Sequence, residues 1–281
     1  MDLNRKQYQD YYHIQKDELS RDIFVIFDDN EMKSHARCIF PNPFYSPLGV
    51  NGKRNIGISA SQLTIVNCVM NISDKNGTSV IHLGDPGRDS LAIELRPGYY
   101  ESHDQLTTEI KNMTTARAQR QASDVSFDIT YDHLGMATYA GTMPMFCQIE
   151  TADGKPITDT VAHKYGFDTN SIVLRAGVPY MRVNPGDTAG KAGDLFGPCA
   201  DVLLTCDECI YTRETDRVLQ AFNVASYPSR AYCTFSPRLK FRPVHDTSEI
   251  RELNLYLKDR CNRLVHFVSG TPSATIELMH L

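Results

Sequence analysis

Cys206-Asp207-Glu208-Cys209 has the residue types and spacing of a metal or redox centre, and Cys199 stands seven residues before it. Two thiolates at this spacing can share one tetrahedral zinc ion, but a closed site takes four ligands. The sequence offers no second Cys-x-x-Cys and no pair of histidines at helical i, i+4 spacing. A redox dithiol needs a strand that runs into a helix. Here Val202-Leu203-Leu204 reads as a strand that continues through the cysteines and turns them to opposite faces. The expectation is two packing thiols, with no metal and no cofactor. Asp207 and Glu208 are adjacent, which by itself makes no acid–base pair.

Other chemistry is weaker still. Gly186-Asp187-Thr188-Ala189-Gly190-Lys191 has three residues between its glycines and Ala192 after the lysine. A phosphate loop needs four, followed by Ser or Thr to hold magnesium. The nine histidines (His13, His35, His82, His103, His133, His163, His245, His266 and His280) are scattered. No Gly-x-Ser-x-Gly elbow supports a nucleophilic serine. The chain is read as not an enzyme, with no catalytic residue assigned.

The elements that would position these side chains are mostly strands. Val125, Phe127, Ile129 and Tyr131 alternate with polar residues, as do Leu91, Ile93 and Leu95, and Leu253, Leu255 and Leu257. Alternation gives a strand one dry and one wet face. Further strands are expected at 22–27, 79–83, 201–211, 230–236, 264–268 and 273–281, with a change of phase near Val66. Phe127, Ile129, Leu253, Leu255, Leu257, Ile276 and Leu278 are the expected core strand positions. Turns are read at Asp28-Asp29-Asn30, Pro41-Asn42-Pro43, Asn51-Gly52, Asn76-Gly77, Asp85-Pro86-Gly87, Asp153-Gly154 and Asn184-Pro185-Gly186. One helix is predicted over 103–118, capped by Ser102 with Gln105 three residues on and striped by Leu106, Ile110 and Met113. Strands spaced by turns predict an all-β fold, an antiparallel two-sheet sandwich, and not βαβ units. Residues 1–20 are polar, with Tyr8, Tyr11 and Tyr12, and read as an N-terminal arm whose tyrosines anchor it to a neighbouring subunit. Residues 21–281 read as one domain with a loop-rich excursion at about 141–200.

Bulk properties narrow the function. With 281 residues, 41% hydrophobic and 22% charged, the chain can bury a substantial core. A net charge of −5 without a basic block argues against direct nucleic-acid binding. No apolar run approaches the roughly 20 residues of a bilayer helix, and the start has no signal-peptide pattern, so a product made and kept in the cytoplasm, with eight reduced cysteines, is expected.

Several segments together resemble the vertex (penton) capsid proteins of polintons, virophages and related large DNA viruses. They are Ile93-Glu94-Leu95-Arg96-Pro97-Gly98-Tyr99-Tyr100 leading to Leu106 and Ile110, then Phe127 to Asp132, then Lys164-Tyr165-Gly166-Phe167-Asp168. The terminal series is Pro237 to Val244, Ile250 to Asp259, Leu264 to Phe267, and Ile276-Glu277-Leu278. The hairpin turn Asp259-Arg260-Cys261-Asn262-Arg263 lacks the family's glycine, leaving Asn262 to supply the positive φ. The resemblance covers roughly residues 60–281. It implies a single jelly roll with one or two short helices, five copies closing a ring at each icosahedral vertex of a virion. Its partners would be itself, the major capsid protein, and minor capsid proteins or a vertex spike. A minor capsid or cement protein, a receptor- or glycan-binding jelly roll, and a cupin-like metalloenzyme are the competing readings.

Overall fold

Period-two alternation of apolar side chains makes strands the main element of the computed structural model. The structure describes residues 20–29, 32–45, 56–74, 79–151, 154–157, 159–167, 171–209, 217–237, 241–244 and 249–280. In chain order the strands are β1 (Ser20–Ile26), β2 (His35–Tyr45), β3 (Ile56–Val66), β4 (Val80–Leu83), β5 (Leu91–Glu94), β6 (Ile129–Tyr131), β7 (Ala137–Tyr139) and β8 (Met145–Gln148). They continue as β9 (Ile172–Arg175), β10 (Val178–Val183), β11 (Asp201–Cys206), β12 (Val218–Asn223), β13 (Tyr232–Phe235), β14 (Arg242–Pro243), β15 (Glu249–Lys258) and β16 (Ser273–His280). Among the described residues two α-helices, α1 (His103–Gln121) and α2 (Val161–Lys164), fall between β5 and β9.

The sequence predicts a single domain over 21–281. The chain forms two compact units, one of residues 1–69 and 200–281 and the other of residues 70–199. The segment of residues 70–199 has a core of its own. Its apolar residues come from short strands and one helix whose patterns resemble those of the first unit, so composition does not mark the boundary.

In the first unit one sheet runs β1-β16-β3-β13, with β14 also on β3, and the other runs β12-β11-β15-β2. All pairings are antiparallel. The pairs nest: β1 with β16, β2 with β15, β3 with β13, β11 with β12. A ribbon of paired strands folded over in this way is an antiparallel jelly roll. Its filling alternates along each strand: Ile250, Leu253, Leu255 and Leu257 on β15, Ala274, Ile276 and Leu278 on β16, all buried.

Pro41-Asn42-Pro43, read as a turn, lies inside β2. The ladder jumps there, from Phe44 opposite Ile250 to Ile39 opposite Glu252, so residues 40–43 bulge against Arg251 alone. β2 is an edge strand, where missing proline donors cost least. Residues 264–268, expected as a strand, form two isolated bridges, Leu264 with Lys258 and Phe267 with Val69. The turn before them works without glycine. Asn262 takes φ 60°, while the buried Asp259 carboxylate accepts from the Cys261 and Arg263 amides at 2.8 and 2.9 Å.

The second unit has a sheet β5-β4-β8-β10-β9, a hairpin β6–β7, and both helices. Ser102 caps α1 by accepting from the Gln105 amide at 3.1 Å, and Gln105 reaches back to the Glu101 amide at 2.7 Å, one residue earlier than a standard capping box. Leu106 and Ile110 join Ile81, Leu83, Ile93 and Tyr165 in one core. Phe127 and Ile129 are buried in this unit and not in the jelly roll, and Phe127 precedes its strand. Gly166 at φ +84° is a position where glycine is required, because a Cβ would stand 2.0 Å from the Lys191 carbonyl oxygen.

Candidate functional site

The cysteine pair is placed differently from the sequence reading. β11 ends at Cys206, a turn carries Asp207 and Glu208, and Cys209 bridges to Val244. The thiols are therefore neighbours and not on opposite faces. Both are fully buried, and the Cys206 pKa is raised well above 9.0 by the Cys209 hydrogen bond and by desolvation. Glu208 accepts from the Cys206 thiol at 3.1 Å and from the Asn254 amide and side chain, each at 3.0 Å. The arrangement ties the end of β11 to β15. Cys199 is buried and lies in the other unit. Among the described residues no group of three or more His, Cys, Asp or Glu is placed to hold a metal.

The remaining described candidates make packing and hydrogen-bond contacts. The loop holding Gly186 to Lys191 runs along β7, with the Ala189 amide donating to the Ala137 carbonyl at 2.8 Å. His103 Nε2 donates to the Lys164 carbonyl at 2.8 Å and packs by Tyr131 and Tyr165. His163 completes a capping box with Thr160. His35 stacks on Tyr256, and burial lowers the pKa of His82. His13 and His245 lie outside the described residues, as do Tyr8, Tyr11 and Tyr12.

Sequence reasoning missed a buried ion pair in the second unit. Lys164 Nζ donates to Asp159 at 3.0 Å and to the Leu195 carbonyl at 3.1 Å, with the lysine wholly enclosed. A lone Lys and Asp five residues apart give no signal in sequence. Their geometry pins the 189–197 loop to α2.

What the protein presents outward is a set of strand surfaces. On the outer face of the first sheet, Phe24 is 67% exposed and Tyr232 is 77% exposed. Thr275 and then Gln62 stand in line with Phe24 across the sheet, and Thr64 faces Thr234 of β13 with their hydroxyls 3.3 Å apart. Ile39 projects from the β2 edge, and Ile172 and Leu174 from the β9 edge of the other unit. A groove of about 450 Å³ lies between β12 and β13, the edge strands of the two sheets. Phe222 and Phe235 form its floor with ring centroids 4.9 Å apart, and Tyr227 meets Phe235 edge-on at 4.9 Å.

These features define an antiparallel jelly-roll protein whose candidate sites, among the described residues, are surfaces. Among solved structures, the chain is similar to the mavirus penton protein, with TM-score 0.43 and 8% identity, covering 94% of this chain and 99% of that one. It is also similar to a chain of the Sputnik virophage structure, with TM-score 0.40 and 11% identity, covering 93% and 98%. No family model matches, and no curated protein matches. Among the described residues no helix is long and apolar enough to cross a membrane.

Proposed function

We propose that the chain is a non-enzymatic structural subunit of an icosahedral virus shell, a penton protein that closes into a homopentamer at the vertices and contacts the surrounding major capsid proteins. The observation that carries the reading is the nested ladder β1–β16, β2–β15, β3–β13, β11–β12. It is supported by the ordered segments that resemble penton proteins. The 93–100 segment is the end of β5, a bend at Pro97, Gly98 bridged to Ile72 and the approach to α1, and the terminal series supplies β14, β15 and β16. Fold alone does not license a role, since jelly rolls serve lectins and enzymes as well; the ordered series supplies the rest.

A jelly roll suits the task physically. Its rigid sheets give lateral faces, and its connecting loops give two ends. Five-fold closure needs two different faces that fit one another on rotation. The exposed, mainly uncharged face of the first sheet and the proline-bulged edge of the second supply two such unlike surfaces. The test is a reconstruction of particles carrying this chain with a label at an exposed loop. Label density at the five-fold vertices is the expected result; density spread between major-capsid positions would favour a cement protein instead.

A further inference from the structure

The groove between β12 and β13 has the features of a docking site for an extended segment. It is bordered by two strand edges that have no strand partner among the described residues. No described residue lining it carries a charge. Its floor is aromatic, and Gln220, Asn223 and Thr234 place amide and hydroxyl groups at its sides. The wall that carries Tyr227 is held in place, because the buried Asn67 side chain donates to the Tyr227 and Pro228 carbonyls at 2.8 and 3.2 Å. A ready-made edge with side-chain pockets is how sheets capture an added strand.

We propose that this groove seats the N-terminal segment of a second copy of the chain, through Tyr11-Tyr12-His13-Ile14-Gln15. This deepens the assembly reading above and rests on it. Nineteen residues precede β1, and this run is five in succession without Asp, Glu, Lys or Arg. An uncharged groove with an aromatic floor and polar sides matches side chains that have an apolar body and a polar tip.

The ladder favours a second copy over the chain's own groove. Ser20 is opposite Met279, which is opposite Gly57, whereas Phe235 is opposite Leu63. Six residues along β3 and three strand spacings across the sheet separate these points by ~25 Å, before the segment rounds the sheet edge. The link from Ser20 to Tyr12 spans at most ~29 Å when fully stretched. A neighbour's groove imposes no such strain.

The test uses the full chain with Tyr11→Ala and Tyr12→Ala, which empties the groove, and a fluorescent peptide of residues 1–19. Anisotropy should show saturable binding, reduced at least ~10-fold when Ala221→Glu and Ser236→Glu add charge at exposed positions of the groove. No binding, or binding indifferent to the added charge, overturns the proposal. If the unaltered chain stays monomeric at concentrations where the peptide fills the emptied groove, the segment occupies its own groove and the second-copy assignment falls. Pentamers that persist in every variant without peptide binding overturn the groove assignment and leave the assembly reading intact.

Discussion

The side chains that first invite a chemical reading are held for packing. Cys206 and Cys209 face one another in the core, Glu208 is spent on Asn254, and Lys164 is sealed against Asp159. Removing one member of a buried pair strands the other charge, so Asp159→Ala should lower stability by about 3–5 kcal/mol. Asp159→Leu with Lys164→Met should cost far less. Urea unfolding followed by circular dichroism checks both, since the chain has no tryptophan. Burial also pushes the Cys147 thiol up from 9.0 to about 12, and it pushes the Tyr165 and Tyr139 hydroxyls above their ordinary range. A proton held more tightly in the fold stabilises the fold fully below the unfolded value. That contribution is lost as pH rises from near 9 toward 12. The melting temperature should therefore be flat from about pH 7 to 8.5 and fall above 9; a flat profile to pH 11 would contradict the burial of these groups.

Elements were legible where side chains alternate without interruption. β5, β15 and β16 follow from Leu91 and Ile93, from Leu253 to Leu257, and from Ile276 and Leu278, and Ser102 with Gln105 marks the start of α1. β2 was hidden by Pro41 and Pro43, which read as a turn unless the bulge opposite Arg251 is known. β8 and β10 were hidden in a stretch rich in glycine and proline. The cysteine geometry could not be foreseen because nothing local says that β11 stops at Cys206. Two predictions belong here. Asn262 sits at φ 60°, so Asn262→Val should cost ~1–2 kcal/mol and Asn262→Gly should be tolerated, as thermal melts will show. Leu278 is fully buried, and Leu278→Asp buries a carboxylate at a cost that rivals the whole ~5–15 kcal/mol of domain stability. The variant should accumulate unfolded; a soluble product with an unaltered melt would place β16 elsewhere.

At the scale of the molecule, strand order is the information that no local pattern carries. The nested pairing joins residues as distant as Ser20 and Met279, and it makes one jelly roll from two chain segments separated by the 130 residues of positions 70–199. Such a body exposes a sheet face and, among the described residues, strand edges without a partner, the unlike surfaces that a ring of copies requires. Whether copies close into that ring decides the assembly proposed above. Native mass spectrometry of the full chain at micromolar concentration is the direct measurement. A species of five times the 31.6 kDa chain is predicted, and a stable monomer or dimer across the concentration range would contradict the account.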